Sequence, residues 1–220
     1  MKLLLTSGGL TNRSIANALF ELVGKSPEQT AFAFIPTAMN LSTGDKSWFI
    51  NDLQNFKKQN FKFIDIVDIS ALPKKIWLPR LEAADVLFFS GGNTFHLMHW
   101  LKESGLAELL PELLKTRVYG GISAGIMVTN PTLALSSKDK RIYYEENFGS
   151  SDIAGLGFVD FYTRPHLNSP DFPQANAGYL KNEVAKNIDA AIYGLDDNSA
   201  LKVIDGKVEV VSEGDWVKIN

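Results

Sequence analysis

Gly121-Ile122-Ser123-Ala124-Gly125 holds a serine between two glycines, after the apolar pair Val118-Tyr119 and before a small-residue segment, 124–128, able to start a helix. A serine on a tight strand-to-helix turn presents its hydroxyl for attack on a carbonyl, and flanking glycines remove side chains that would clash there. A bare G-x-S-x-G arises by chance in roughly one chain in fifteen of this length. The setting therefore carries the argument more than the pattern does. A hydroxyl is a poor nucleophile until a base takes its proton, and imidazole titrates in the right range. Of three histidines, His166 follows an apolar run at 158–163, while His96 and His99 lie inside a helical pattern after Asn93. His96 and His99 share a helix face, but no H-E-x-x-H pattern or third ligand accompanies them. They read as ordinary helix histidines, and no metal or cofactor is expected.

The base in turn needs a carboxylate on its other nitrogen to fix the tautomer and stabilise the imidazolium. Asp197 is the first choice. Asp196 beside it and Asp139, in the loop expected after the elbow helix, are the alternatives. Neighbouring residues in an extended segment point in opposite directions, so one of the Asp196-Asp197 pair serves. Attack also needs donors for the developing oxyanion. The backbone N–H of Ala124 is the first, and Gly91 or Gly92 the second, with Asn93 lining the same place. Ser7-Gly8-Gly9 lacks the third glycine of a dinucleotide fingerprint and reads as a tight connection.

These groups are spread over a hundred residues and must be gathered by the fold. Strand patterns at Lys2–Thr6, Ala31–Ile35, 61–67, Val86–Phe89 and Val118–Ile122 alternate with helical patterns at Arg13–Val23, 46–59, 94–102 and 106–115. Such alternation implies right-handed crossovers and a mainly parallel sheet with helices on both faces, an α/β fold. Further strands are expected at 158–163 and 190–195, with a helix near 175–187 between them. Runs at 201–204 and 208–211 flank Asp205-Gly206, a two-residue hairpin signal, so the sheet should end in an antiparallel ribbon. In such sheets sites form at the carboxyl ends of the strands. Asn93, Ser123, His166 and the Asp196-Asp197 pair all fall there. No internal repeat or linker divides residues 1–220, which read as one domain.

Composition narrows the chemistry further. The 220 residues are 45% hydrophobic with net charge −3, and no basic block offers the field that nucleic acid needs. The absence of cysteine removes disulfides, thiolate metal sites and a cysteine nucleophile. The apolar start Met1 to Leu5 stops at Thr6-Ser7-Gly8-Gly9, short of a secretory core, and no window spans a bilayer. A cytoplasmic protein, monomer or homodimer, with no membrane partner is the expectation.

Ser90-Gly91-Gly92-Asn93-Thr94-Phe95, Gly121 to Gly125, Pro165-His166 and Gly194-Leu195-Asp196-Asp197 resemble, in order, the motifs of the S51 peptidases. Phe34-Ile35-Pro36-Thr37-Ala38 resembles that family's second-strand ending, and the likeness runs from Met1 to about Asp205. The resemblance implies a flavodoxin-like, class I glutamine-amidotransferase-like fold and a serine hydrolase acting on peptides, as in dipeptidase E and cyanophycinase. It implies Ser123 as nucleophile, His166 as base, and an acid position, usually glutamate in the family, that falls on Asp197. Asp139 corresponds to an acid some family descriptions place after the elbow. Dipeptidase E selects an N-terminal aspartate, for which a guanidinium is the natural partner. No arginine lies between His166 and Asp196, and Arg164 is the candidate for that role.

A serine peptidase for dipeptides or short peptides is thus the leading expectation. An esterase, which would use Asp139, and a catalytically silent small-molecule-binding protein on the same fold are the alternatives. The silent protein would hold His166 away from Ser123.

Overall fold

The computed structural model describes residues 1–149 and 152–220. Ten strands alternate with helices: β1 (Lys2–Thr6), α1 (Arg13–Val23), β2 (Ala31–Ile35), α2 (Ser47–Lys58), β3 (Phe63–Ile66), α3 (Lys74–Glu82), β4 (Val86–Phe89), α4 (Thr94–Glu103), α5 (Leu106–Leu113), β5 (Val118–Ile122), α6 (Ala124–Met127), α7 (Lys138–Phe148), β6 (Tyr162–Arg164), β7 (Ile192–Leu195), β8 (Ser199–Ile204), β9 (Lys207–Ser212) and β10 (Trp216–Ile219). The main sheet has the order β3-β2-β4-β5-β1-β8-β9, and its first five strands are parallel.

The period-two alternation of a strand sorts the side chains into two cores. Leu3, Leu5, Ala33, Ile35, Leu87 and Phe89 face one way, where Trp77 and Leu81 of α3, Leu97 and Leu101 of α4 and Leu110 of α5 cover them. Leu4, Phe32, Phe34 and Phe88 face the other, against Ile15, Leu19 and Leu22 of α1 and Phe56 of α2. Central strands buried on both faces read as continuous apolar runs, which is why Ala-Phe-Ala-Phe-Ile and Val-Leu-Phe-Phe are wholly buried. β8 and β9 add antiparallel to β1. They are joined at Asp205-Gly206, both with positive φ (48° and 82°), as a two-residue primed turn requires.

The structure departs from the sequence expectation in three places. Strands β6 and β7 do not extend the main sheet but form a separate three-stranded sheet with β10, in the order β10-β7-β6. Helix α3, which carries Pro79 internally, and helix α7, where only Tyr144 is buried, were both without an expected counterpart. An internal proline and the want of an apolar stripe hide such helices from periodicity. Between Arg164 and β7, residues 177–187 wind through short α, π and 3₁₀ turns rather than one regular helix. Among the described residues no helix is long and apolar enough to cross a membrane.

Candidate active site

Ser123 stands where β5 turns into α6. Its backbone angles, φ 48° and ψ −102°, lie outside the regions an ordinary side chain prefers, a strain that persists only where the surroundings impose it. The two glycines are steric necessities. A Cβ on Gly121 would lie 2.7 Å from the backbone of Gly125, and one on Gly125 would lie 2.4 Å from the Phe89 carbonyl oxygen. β5, β4 and the first turn of α6 therefore close to a distance no other residue permits. Beneath them the buried Tyr119 hydroxyl donates to the Gly125 carbonyl (2.5 Å), and Thr6 Oγ1 donates to the Gly121 carbonyl (2.7 Å).

His166 follows β6 and also carries a positive φ, 62°. Its Nε2 is 2.8 Å from Ser123 Oγ, and its Nδ1 is 2.7 Å from Asp197 Oδ1. An ionised carboxylate only accepts, so Nδ1 carries the proton and Nε2 is left to accept from the Ser123 hydroxyl. The Phe172 ring stacks on the imidazole with centroids 4.4 Å apart and planes at 11°. Desolvation alone would push the Asp197 carboxyl up. The hydrogen bond and charge of His166 and the Ser7 hydroxyl outweigh it and leave the value lowered, so this acid is ionised at neutral pH.

The other expected site residues divide differently. Asp196, one residue from Asp197, is turned away. It accepts from the backbone N–H of Asn198 (3.0 Å) and of Asp215 (2.7 Å) and from the Ser199 hydroxyl, tying β7, β8 and the approach to β10 together. Asp139 lies in the first turn of α7, not in a loop, and is exposed. The Asn93 side chain caps α4, accepting from Phe95 N and His96 N, and its amide reaches the Lys140 carbonyl. Its Oδ1 is thus engaged by the start of α4, while its amide makes one long contact, 3.5 Å. Gly91 stays beside Ser123: a Cβ there would lie 3.5 Å from Ser123 Cβ and 3.7 Å from the half-exposed Trp48 ring. The N–H groups of Gly91, Gly92 and Ala124 have no hydrogen-bond partner among the described residues.

Arg164 is half-buried and donates to the Leu135 carbonyl. Lys140, which sequence reasoning missed, donates to the Gly92 carbonyl at 2.7 Å. Burial lowers the pKa of both, and the charge of Arg164 adds to the effect on Lys140. Neither has a carboxylate partner among the described residues. His96 and His99 pack among Trp100 and Tyr144 on α4 and α7, and no third metal-binding side chain joins them among the described residues. Sequence reasoning also missed Ser7, whose hydroxyl contacts both Asp197 and His166, and Asp52 of α2. Ser7 had a usable signal: it directly follows β1, the strand paired with β5, as Ser123 directly follows β5.

The family model of peptidase family S51 matches residues 3–211, and the chain belongs to that family. An uncharacterized peptidase of Pasteurella multocida is 28% identical over 153 residues, covering 67% of this chain and 70% of that protein. Peptidase E of Streptomyces coelicolor is 32% identical over 131 residues, 57% of this chain and 51% of that one. A Listeria monocytogenes crystal structure solved as a candidate peptidase E superposes with a TM-score of 0.78 at 22% identity, covering 97% of this chain and 98% of that chain. The chain is a peptidase with the fold of that neighbour.

Proposed function

We propose that this peptidase is serine-type and hydrolyses dipeptides or other short peptides through an acyl-enzyme on Ser123. The observation that carries the reading is the pair of contacts made by one imidazole, 2.8 Å to Ser123 Oγ and 2.7 Å to Asp197 Oδ1. Ser123 Oγ attacks the scissile carbonyl while His166 Nε2 takes its proton. The imidazolium then gives that proton to the leaving amine as the C–N bond breaks. Water, deprotonated by the same nitrogen, attacks the ester and releases the acid. Asp197 holds the tautomer and balances the positive charge on the ring. The free N–H of Ala124 and that of Gly91 or Gly92 receive the oxyanion.

The short hydroxyl-to-imidazole distance favours this reading over a silent binding protein. The engagement of His166 Nδ1 by Asp197, with Asp139 exposed on α7, favours it over the esterase arrangement. Arg164 and Lys140, cations without a carboxylate partner, suit a substrate carrying an acidic group. Ser123→Ala is expected to lower dipeptide hydrolysis at least about 10⁴-fold without loss of fold, read on a panel that includes Asp-X and isoaspartyl dipeptides. Turnover that survives this substitution ends the proposal. A panel with no preference for acidic members removes Arg164 and Lys140 from substrate binding.

A further inference from the structure

We infer that Ser7 is a positioning residue of this active site, a buried clamp that holds the acid and the base in one geometry. The inference rests on the proposed roles of Ser123, His166 and Asp197. The Ser7 side chain is completely buried, and its backbone N–H is fixed to the Ser199 carbonyl of β8 at 3.2 Å. Its hydroxyl donates to Asp197 Oδ1 at 2.8 Å, the same oxygen that receives His166 Nδ1–H. The same hydroxyl accepts the backbone N–H of His166, also at 2.8 Å. One oxygen atom, just past the end of β1, therefore touches both Asp197 and His166.

Each contact has a distinct effect. The bond to the carboxylate uses part of the capacity of Oδ1 and fixes its direction, so the imidazole meets an oxygen that does not swing. The bond from the His166 N–H stabilises a non-glycine residue at φ 62°, a conformation the local chain does not favour by itself. Gly8 completes the seat. A Cβ there would lie 2.7 Å from the Asp197 carbonyl oxygen and 2.8 Å from Asp197 Cβ. Its absence lets the 196–198 segment press against the end of β1, where Thr11 Oγ1 also donates to the Asp197 carbonyl at 2.8 Å. The imidazole is thus held from three sides, by Asp197, by Ser7 through its own backbone, and by Phe172 across its face. A catalytic group displaced by about 1 Å costs roughly 10²-fold in rate, which sets the scale for losing the clamp.

The test compares wild type, Ser7→Ala and Ser7→Cys, the last keeping the side-chain shape, with a somewhat larger atom, while replacing a good hydrogen-bonding group by a poor one. A fluorophosphonate probe supplies a rate that needs no knowledge of the natural substrate. Both variants are expected to react about 10- to 100-fold more slowly at Ser123. On a cleaved dipeptide kcat falls by a similar factor with KM within about threefold. In proton NMR the low-field Nδ1–H resonance of His166 moves upfield in both variants. Labelling of Ser7→Ala or of Ser7→Cys at the wild-type rate, with that resonance unmoved, overturns the inference. Wild-type protein that the probe does not label at Ser123 overturns instead the reading on which the inference rests, so the two failures are told apart.

Discussion

Two carboxylates flank the Ser7-Gly8-Gly9 turn, and they have met opposite fates. Asp197 keeps 52% of its side chain exposed, yet its pKa is lowered, because an imidazole and a hydroxyl both donate to it. Asp52 is 8% exposed, its Oδ2 has no hydrogen-bond partner, and burial with the nearby charge of Asp197 raises it to about 7. A buried carboxylate without donors gives up its charge, while a partnered one keeps it. Only the second kind can orient an imidazole and balance its positive charge. The difference between a candidate catalytic acid and a mere buried acid therefore lies in the donors as well as in depth.

Removing the charge from each carboxylate sharpens the contrast. Asp197→Asn offers His166 the wrong hydrogen-bonding group and inverts the tautomer, so kcat/KM is expected to fall about 10³- to 10⁴-fold with little change in KM. Asp52→Asn is expected to leave the rate within about threefold and to act on stability instead. Folded Asp52 binds its proton up to about pH 7, whereas the unfolded chain releases it near 3.8. Stability therefore falls as pH rises across that window and stays low above it, by on the order of 4 kcal/mol. The variant should raise Tm at pH 8 and hardly at pH 4, as thermal melts at both values would read. Equal gains at both would show that the charge of Asp52 is not the cause. Asp197 has the reverse sign: its lowered value contributes stability present at neutral pH and lost as pH falls below the ordinary carboxylate range.

The two alternative acids give smaller effects. Asp196→Ala removes the acceptor of three hydrogen bonds and should cost about 1–3 kcal/mol of stability in denaturant unfolding, with activity reduced far less than in Asp197→Asn. Asp139→Asn, on the exposed start of α7, is expected to change kcat/KM by less than about twofold. A loss there as large as that of Asp197→Asn would move the acid to α7 and revive the esterase arrangement.

The sheet was legible in the sequence because buried parallel strands are written as apolar runs, as in Ala31–Ile35 and Val86–Phe89. The elbow was legible because its glycines answer a steric demand that acts within four residues. The hairpin at Asp205-Gly206 was legible for the same local reason. What escaped was non-local. Nothing in 158–195 tells a strand of the main sheet from one in a second sheet with Trp216–Ile219, since both bury the same kinds of side chain. A one-dimensional reading prefers Asp197 to Asp196, but which side chain meets the imidazole is fixed only by the way each faces in the fold. Ser7 lies 159 residues from His166 and 190 from Asp197, and its meaning appears only when β1 pairs with β5 and β8.

Mapping the adduct of a fluorophosphonate by peptide mass spectrometry, in wild type and in His166→Ala, tests the central claim most directly. The expected result is a single phosphonylated peptide carrying Ser123, formed at least about 10³-fold more slowly in the variant. An adduct on another residue, or an undiminished rate without the imidazole, contradicts the account.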